Sequence, residues 1–93
     1  MGQEKKKHSL SSSQIRAARV LVGWTAEDLS RQSAVSLRTI RRAELAEHDG
    51  SITTANDLAI RRALEAAGVV FIDENGGGLG VRLRKRQGKT APG

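Results

Sequence analysis

The stretch Thr25–Glu47, TAEDLSRQSAVSLRTIRRAELAE, decides the fold that we predict for this chain. Apolar residues recur in it at helical spacing, with Leu29 in the first half and Ile40 in the second. Thr25 and Ser36 each precede one of these segments, and both residue types are favoured as helix N-caps. We therefore expect two short helices joined by a tight turn. The outward side of the second helix, 37–46, then carries Leu37, Arg38, Arg41 and Arg42.

A first helix is predicted just before this pair. Ser11 and Gln14 form the pattern of a capping box, in which each side chain accepts a hydrogen bond from the other residue's backbone N–H. The helix should run to about Val22 and end at Gly23, because glycine adopts the left-handed conformation without steric cost.

A fourth helix is predicted after the central pair. It should begin at Thr53 or Thr54, where Thr54 and Asp57 resemble a capping box with a shorter acid, and it should end at Gly68. The side chains expected to face water on this helix are Arg61, Arg62 and Glu65.

Residues 69–84 follow a different period. They begin with the β-branched and aromatic run VVFI, continue through a glycine-rich segment, and end in the alternating run VRLR. This pattern predicts a β-hairpin with a long tip. The expected fold class is therefore mainly α, with four to five helices and a C-terminal β-hairpin.

The net charge of +6 lies mainly at the two ends of the chain. Residues 11–81 hold eight arginines against nine acidic residues, a balance of −1, whereas 82–93 hold five basic residues and no acid. We expect disordered basic tails at 1–10 and 85–93, around a helical domain at 11–68 and a hairpin at 69–84. A basic charge is typical of nucleic-acid-binding proteins, but tails alone do not establish that function.

Several classes of protein are disfavoured by the composition. The chain has 93 residues, which suits one domain, and it has no cysteine, which excludes disulfides and thiolate metal sites. It has no apolar run near the roughly 18 residues of a membrane span, and 1–10 lacks the apolar part of a signal peptide. We find no nucleophile–base pair, paired acids or metal-ligand spacing. We therefore predict that the protein is not an enzyme and uses no metal or cofactor.

The stretch 11–68 resembles the lambda-repressor-like, xenobiotic-response-element (XRE) family of bacterial helix-turn-helix transcriptional regulators. The resemblance rests on Leu29, on Ala34-Val35-Ser36 at the turn, on Thr39-Ile40 and on Glu44, at the spacing that the family uses. The family usually has glycine where this chain has Ala34, so we expect a strained or differently shaped turn. The hairpin lies outside the family's shared domain.

The resemblance implies a sequence-specific DNA-binding transcriptional regulator, expected to be a repressor in the bacterial cytoplasm, at the nucleoid. It places a structural ion pair on Arg19 and Glu44. The family's base-contacting positions fall on Leu37, Arg38 and Arg42.

The residues themselves support a contact with double-stranded DNA. A helix about 10 Å across fits the major groove, and its first turns reach the base edges. Arg38 would read guanine through two hydrogen bonds, and Leu37 would touch a thymine methyl group. The residues assigned to phosphates are Thr25, Ser36, Thr39 and Arg41.

We expect a homodimer on a two-fold operator whose half-sites lie about one helical turn apart. The hairpin is the predicted dimerisation element, and the alternative is a monomer whose hairpin covers its own helices. Two other functions remain open. One is an antitoxin-type module that binds a toxin protein and regulates its own operon; the other is non-specific nucleic-acid binding through the tails. The residues assigned to the dimer contact are Val69, Phe71, Ile72, Val81 and Leu83.

Overall fold

The computed structural model describes residues 10–45, 52–73 and 76–84. Within these ranges the chain is mainly helical and has one antiparallel hairpin. The prediction of a mainly α chain with a C-terminal β-hairpin is confirmed. None of the helices within these ranges has both the length and the apolar character needed to cross a membrane. The elements are α1 (Ser12–Leu21), α2 (Ala26–Ser33), α3 (Leu37–Leu45), α4 (Thr54–Ala66), β1 (Val69–Ile72) and β2 (Gly80–Leu83).

Capping boxes begin the first two helices. The Ser11 hydroxyl accepts a hydrogen bond from the Gln14 amide, and the Gln14 side chain accepts one from the Ser11 amide, both at 3.0 Å. Thr25 and Asp28 make the same exchange at the start of α2, at 3.0 and 2.8 Å. These reciprocal bonds satisfy backbone N–H groups that have no partner inside the helix. The predicted starts of both helices are confirmed.

The predicted start of α4 at Thr53 or Thr54 is confirmed, but the capping box predicted for Thr54 and Asp57 is wrong. Thr53 is the N-cap, and its side chain accepts a hydrogen bond from the Asn56 amide at 3.1 Å. Asp57 therefore does not close a capping box with Thr54. It is buried, and it accepts the backbone N–H of Leu10 at 3.1 Å.

The contact with Asp57 also moves the N-terminal boundary of the folded domain. Leu10 was predicted to belong to a disordered tail, but it is buried in the hydrophobic core. The folded part of the chain therefore begins before α1. The rest of the predicted N-terminal tail, 1–9, and the predicted C-terminal tail, 85–93, lie outside the described residues.

One hydrophobic core joins the helices and the hairpin. Ile15, Leu29 and Ile40 are fully buried in it together with residues of α4 and β1. The buried Gln14 side chain adds a polar link, because its amide nitrogen donates to the backbone oxygens of Ile72 at 3.3 Å and Gly80 at 3.1 Å. The hairpin therefore packs as part of the helical domain and not as a separate unit.

Arg61 was predicted to face water, but its side chain is largely buried. Its side chain is only 16% exposed, and its guanidinium lies 5.2 Å from the centre of the Phe71 ring. It also pairs with Glu65 on the next turn at 3.0 Å. The aliphatic stem and the cation–π contact let this arginine cover the hairpin while its charge remains paired. Arg62, its neighbour on α4, is exposed as expected.

The turn between α2 and α3 is built around a left-handed alanine. Ala34 has φ 63° and ψ 23°, and it is the only non-glycine residue with a positive φ in the described part of the chain. Side chains on both sides hold this turn: the Ser30 hydroxyl donates to the Val35 oxygen at 2.6 Å, and the Val35 amide donates to the Ser33 hydroxyl at 3.2 Å. The strain expected at this position therefore arises from the left-handed backbone conformation of Ala34.

We expect Ala34→Gly to raise the free energy of unfolding by about 0.5–1 kcal/mol. Glycine removes a left-handed strain of about 1–2 kcal/mol, and the greater freedom of the unfolded glycine chain offsets about 0.4–1 kcal/mol of that gain. Gly23→Ala is the matched control, because Gly23 has φ 73° and an added Cβ would meet no atom within 4 Å. Urea unfolding should show opposite shifts for the two variants. A loss of stability in Ala34→Gly would contradict the assignment of strain.

Candidate nucleic-acid interface

The helix α3 has one buried and one exposed side. Ile40, Ala43 and Glu44 face the interior of the protein. The opposite side carries positions i, i+3, i+4 and i+7, which share one face of a helix. These exposed residues are Arg38, Arg41, Arg42 and Leu45. We call Arg38, Arg41 and Arg42 the arginine stripe.

The two arginines predicted to read bases lie together on the exposed side of α3. Arg38 and Arg42 are four residues apart, so their Cβ atoms are about 5–6 Å from each other. Leu37 differs from its prediction, because it is half-buried instead of fully outward-facing. Leu45 is the exposed apolar residue on this side, at 78% exposure. Its spacing of seven residues from Arg38 was the signal that sequence reasoning did not use.

The hydroxyl groups assigned to phosphates are engaged in helix caps. The Ser36 hydroxyl accepts from the Thr39 amide at 3.1 Å and donates to the Thr39 hydroxyl at 2.9 Å. The Thr25 hydroxyl accepts from the Asp28 amide. The first-turn amides that remain without a helical partner are the groups at these helix starts best able to bind an anion.

Two carboxylates stand at the start of α2. Glu27 lies 3.4 Å from the Arg41 guanidinium, in a pair whose side chains are both more than half exposed. Asp28 accepts hydrogen bonds from Thr25 and pairs with Arg31, and these contacts, led by the Thr25 backbone bond, lower the pKa of Asp28 below its ordinary value of 3.8. Negative charge is favourable for the helix dipole but repels a phosphate. Thr25 is consequently the least favourable of the predicted phosphate contacts.

A buried ion pair fixes α3 to α1. The Arg19 guanidinium donates to both carboxylate oxygens of Glu44, at 2.7 and 3.0 Å, and to the Trp24 backbone oxygen at 2.9 Å. The two side chains are 20% and 9% exposed. The hydrogen bond to Glu44 raises the pKa of Arg19 above its usual value. Glu44 is paired on the buried side of α3, so it does not neutralise the arginine stripe.

Two further residues of α1 hold the C-terminal end of α3. The Ser12 hydroxyl donates to the Ala43 backbone oxygen at 2.6 Å, and the Arg16 guanidinium donates to the Glu44 backbone oxygen. The last carbonyls of a helix have no partner within it, so these contacts satisfy groups that would otherwise need water. Sequence reasoning missed Ser12 and Arg16, because neither belongs to a local motif.

The residues assigned to dimerisation fall into two groups. Val69 and Phe71 are buried in the chain's own core, at 1% and 8% exposure. Ile72 and Val81 are half-buried, and Leu83 is exposed. Only the second group offers surface to another molecule, so Phe71 is unsuitable for testing a dimer by mutation.

Comparison of the chain with protein-family models and with curated proteins found no match. Among the described residues, no cluster of histidine and acidic side chains has the size needed to hold a metal ion.

Proposed function

We propose that the protein is a sequence-specific DNA-binding transcriptional regulator that inserts α3 into the major groove. The observation that carries this proposal is the arginine stripe. Arg38, Arg41 and Arg42 project from one side of a short helix whose other side is buried, and α1 ties down the C-terminal end of that helix. A rigidly held helix loses little conformational freedom on binding, which favours a specific contact.

The three arginines of the stripe would have different roles. Arg38, in the first turn, and Arg42, one turn later, would contact the edges of guanine bases through paired hydrogen bonds to O6 and N7. Arg41 would contact a phosphate, exchanging its exposed pair with Glu27 for the DNA backbone. Leu37 keeps enough exposed surface to touch a thymine methyl group. The contacts with bases would give sequence specificity, and the phosphate contact would fix the position of α3 along the DNA.

Because the positive charge lies mainly at the ends of the chain, sequence selection and general DNA affinity would come from different parts of the protein. Residues 11–81 have nearly balanced charge, with eight arginines against nine acidic residues. The basic ends of the chain would add salt-sensitive affinity that does not depend on base sequence. We propose a homodimer that represses transcription from a two-fold operator, with one α3 helix in each half-site.

Selection of bound duplexes from a random DNA pool tests this function. The full chain should enrich one short motif, repeated with two-fold symmetry at a spacing of about 10 base pairs. The measurement should be made at several salt concentrations, because non-specific affinity falls steeply as salt increases. Binding without an enriched motif would instead support a non-specific nucleic-acid-binding protein.

A further inference from the structure

The strand β2 has an outer edge that the described part of the chain does not pair. The Arg84 amide donates to the Gly68 oxygen at 2.6 Å, just beyond the two strands. The register of the hairpin continues this alignment, pairing Val70 with Arg82. Hydrogen-bonded and non-hydrogen-bonded pairs alternate along an antiparallel ladder. Even-numbered residues of β2 therefore direct their backbone groups towards β1.

The odd-numbered residues of β2 direct their backbone groups away from β1. These residues are Val81 and Leu83, and within 10–45, 52–73 and 76–84 their outward N–H and C=O groups have no hydrogen-bond partner. An unpaired strand edge is a template for a further strand. Edge strands of stable monomers commonly carry charged side chains or proline that prevent such pairing. Val81 and Leu83 are of neither kind, and the charged residue between them, Arg82, directs its backbone groups towards β1.

The side chains along this edge form an apolar row. Val81 and Leu83 alternate along β2, so they project from the same face of the sheet as the buried Phe71, which pairs with Val81, and Leu79 continues this spacing just before the strand. Leu79 is 52% and Leu83 is 47% exposed, although Val69, which faces Leu83 in β1, is buried. Leu79 and Leu83 therefore remain about half exposed, on either side of the half-buried Val81.

We propose that β2 pairs with β2 of a second copy of this chain, antiparallel and across a two-fold axis at Val81. In this register Val81 faces Val81 of the partner subunit, and Leu79 faces Leu83 of the partner subunit. The outward backbone groups then form the ladder between the subunits. The two hairpins join into one four-stranded sheet, and both copies of the apolar row lie on the same face.

The register follows from the apolar pattern and the charges. Centring the axis on Val81 makes the segment 79–83 self-complementary, because leucines stand at equal distances on both sides of the valine. It also places Arg82 opposite Gly80 of the partner subunit. An axis at Arg82 would put two arginines directly opposite each other, and an axis at Leu83 would put Arg82 opposite Arg84 of the partner subunit. Like charges in facing positions are destabilising.

The proposed pairing adds detail to the proposed function. It rests on that function only because binding to a two-fold operator requires a dimer. Its test uses no DNA, so the two can fail separately. A dimer that selects no DNA motif would overturn the function and leave the interface intact. Sequence-selective binding by a chain that shows no β2 pairing would overturn the interface alone.

Sedimentation equilibrium of charge variants tests the interface. Leu83→Lys should raise the dimer dissociation constant at least roughly tenfold, because two lysines per dimer replace facing apolar pairs. Adding Leu79→Glu to that variant should restore dimerisation, because each glutamate then faces a lysine of the other subunit. Within one chain, positions 79 and 83 are about 13 Å apart and cannot make this pair.

Val20→Lys is the matched control, because Val20 is 67% exposed on α1, outside the hairpin. It should leave the dimer unchanged. The proposal fails if the wild-type chain is monomeric at about 100 μM, a concentration at which a micromolar dimer would be almost fully formed. It also fails if Leu83→Lys does not raise the dimer dissociation constant or if the double variant does not lower it again. The Trp24 fluorescence of each variant reports whether it is folded.

Cysteine cross-linking gives a second measurement of the register. The chain has no cysteine, so one substitution introduces one thiol per subunit. Val81→Cys should form a disulfide-linked dimer on mild oxidation, because facing hydrogen-bonded residues have Cα atoms about 5.5 Å apart, within disulfide range. Arg82→Cys is the control, since its Cα would lie about 8 Å from its own copy, beyond that range. Preferential cross-linking at Arg82→Cys would contradict the axis at Val81.

Discussion

Replacing Glu44 with alanine is expected to lower the free energy of unfolding by about 3 kcal/mol, the lower part of the range for breaking a buried ion pair. The loss arises because Arg19, whose side chain is only 20% exposed, would keep its charge without the carboxylate that it contacts through two hydrogen bonds. Its remaining contact with the Trp24 oxygen is a single bond. Urea unfolding followed by the fluorescence of Trp24 measures this change.

Glu27→Ala is the control for the Glu44 variant. Glu27 also pairs with an arginine, but at 3.4 Å and with both side chains more than half exposed. An exposed pair contributes about 0–1 kcal/mol, so this variant should unfold at nearly the wild-type urea concentration. If Glu44→Ala is too unstable to measure, Glu44→Gln retains one acceptor and should lose less. A Glu44→Ala loss no greater than that of Glu27→Ala would show that the pair does not anchor α3.

Removing either base-reading arginine is expected to weaken binding to the selected DNA sequence roughly tenfold to a hundredfold. This corresponds to about 1–3 kcal/mol for a paired hydrogen-bond contact with a base. Arg38→Ala and Arg42→Ala should have much smaller effects on a scrambled duplex, because only the correct base presents both acceptors. Titration of both duplexes with each variant, at one salt concentration, gives the change in specificity directly.

Arg62→Ala and Arg41→Ala separate base reading from general charge. Arg62 is exposed on α4 and does not belong to the arginine stripe, so removing it should have little effect on the preference between duplexes. Arg41→Ala should weaken both duplexes alike and reduce the salt dependence by about one phosphate contact. Equal losses on selected and scrambled DNA for Arg38→Ala and Arg42→Ala would contradict base reading by α3.

The two sets of variants also distinguish a reading residue from a positioning residue. Glu44 faces the interior, so it would not touch DNA, and its replacement should reduce binding through a poorly held α3. Arg38 and Arg42 are exposed, so their removal should leave the urea midpoint nearly unchanged. For Glu44, stability and DNA affinity should therefore change together, whereas for Arg38 and Arg42 only the DNA affinity should change.

Local features of the fold were predictable from short segments. Ser11 with Gln14, and Thr25 with Asp28, lie three residues apart, and one helical turn is enough to bring their side chains to the partner amide. The hairpin was likewise visible in the β-branched and aromatic run that begins at Val69 and in the alternation of VRLR at 81–84. The Arg19–Glu44 pair spans 25 residues and was anticipated only through the family resemblance.

Residues that act across the fold were not predictable in this way. Asp57 matched a local capping pattern, yet it binds the Leu10 amide, 47 residues away. Arg61 looked like a solvent-exposed helical residue, but the hairpin brings Phe71 against it. Their environments depend on which elements pack together, and no local spacing contains that information.

By itself, the sequence determined where the helices begin, where the central turn lies, and that three arginines share one side of α3. Those properties follow from caps and helical spacing within a few residues. Only the tertiary structure decided how α3 is rotated on the core, which leaves Leu37 half-buried and Leu45 exposed. It also decided that Val69 and Phe71 of β1 are buried, whereas Leu83 of β2 stays exposed. Packing determines both, because burial of a face depends on residues distant in the chain.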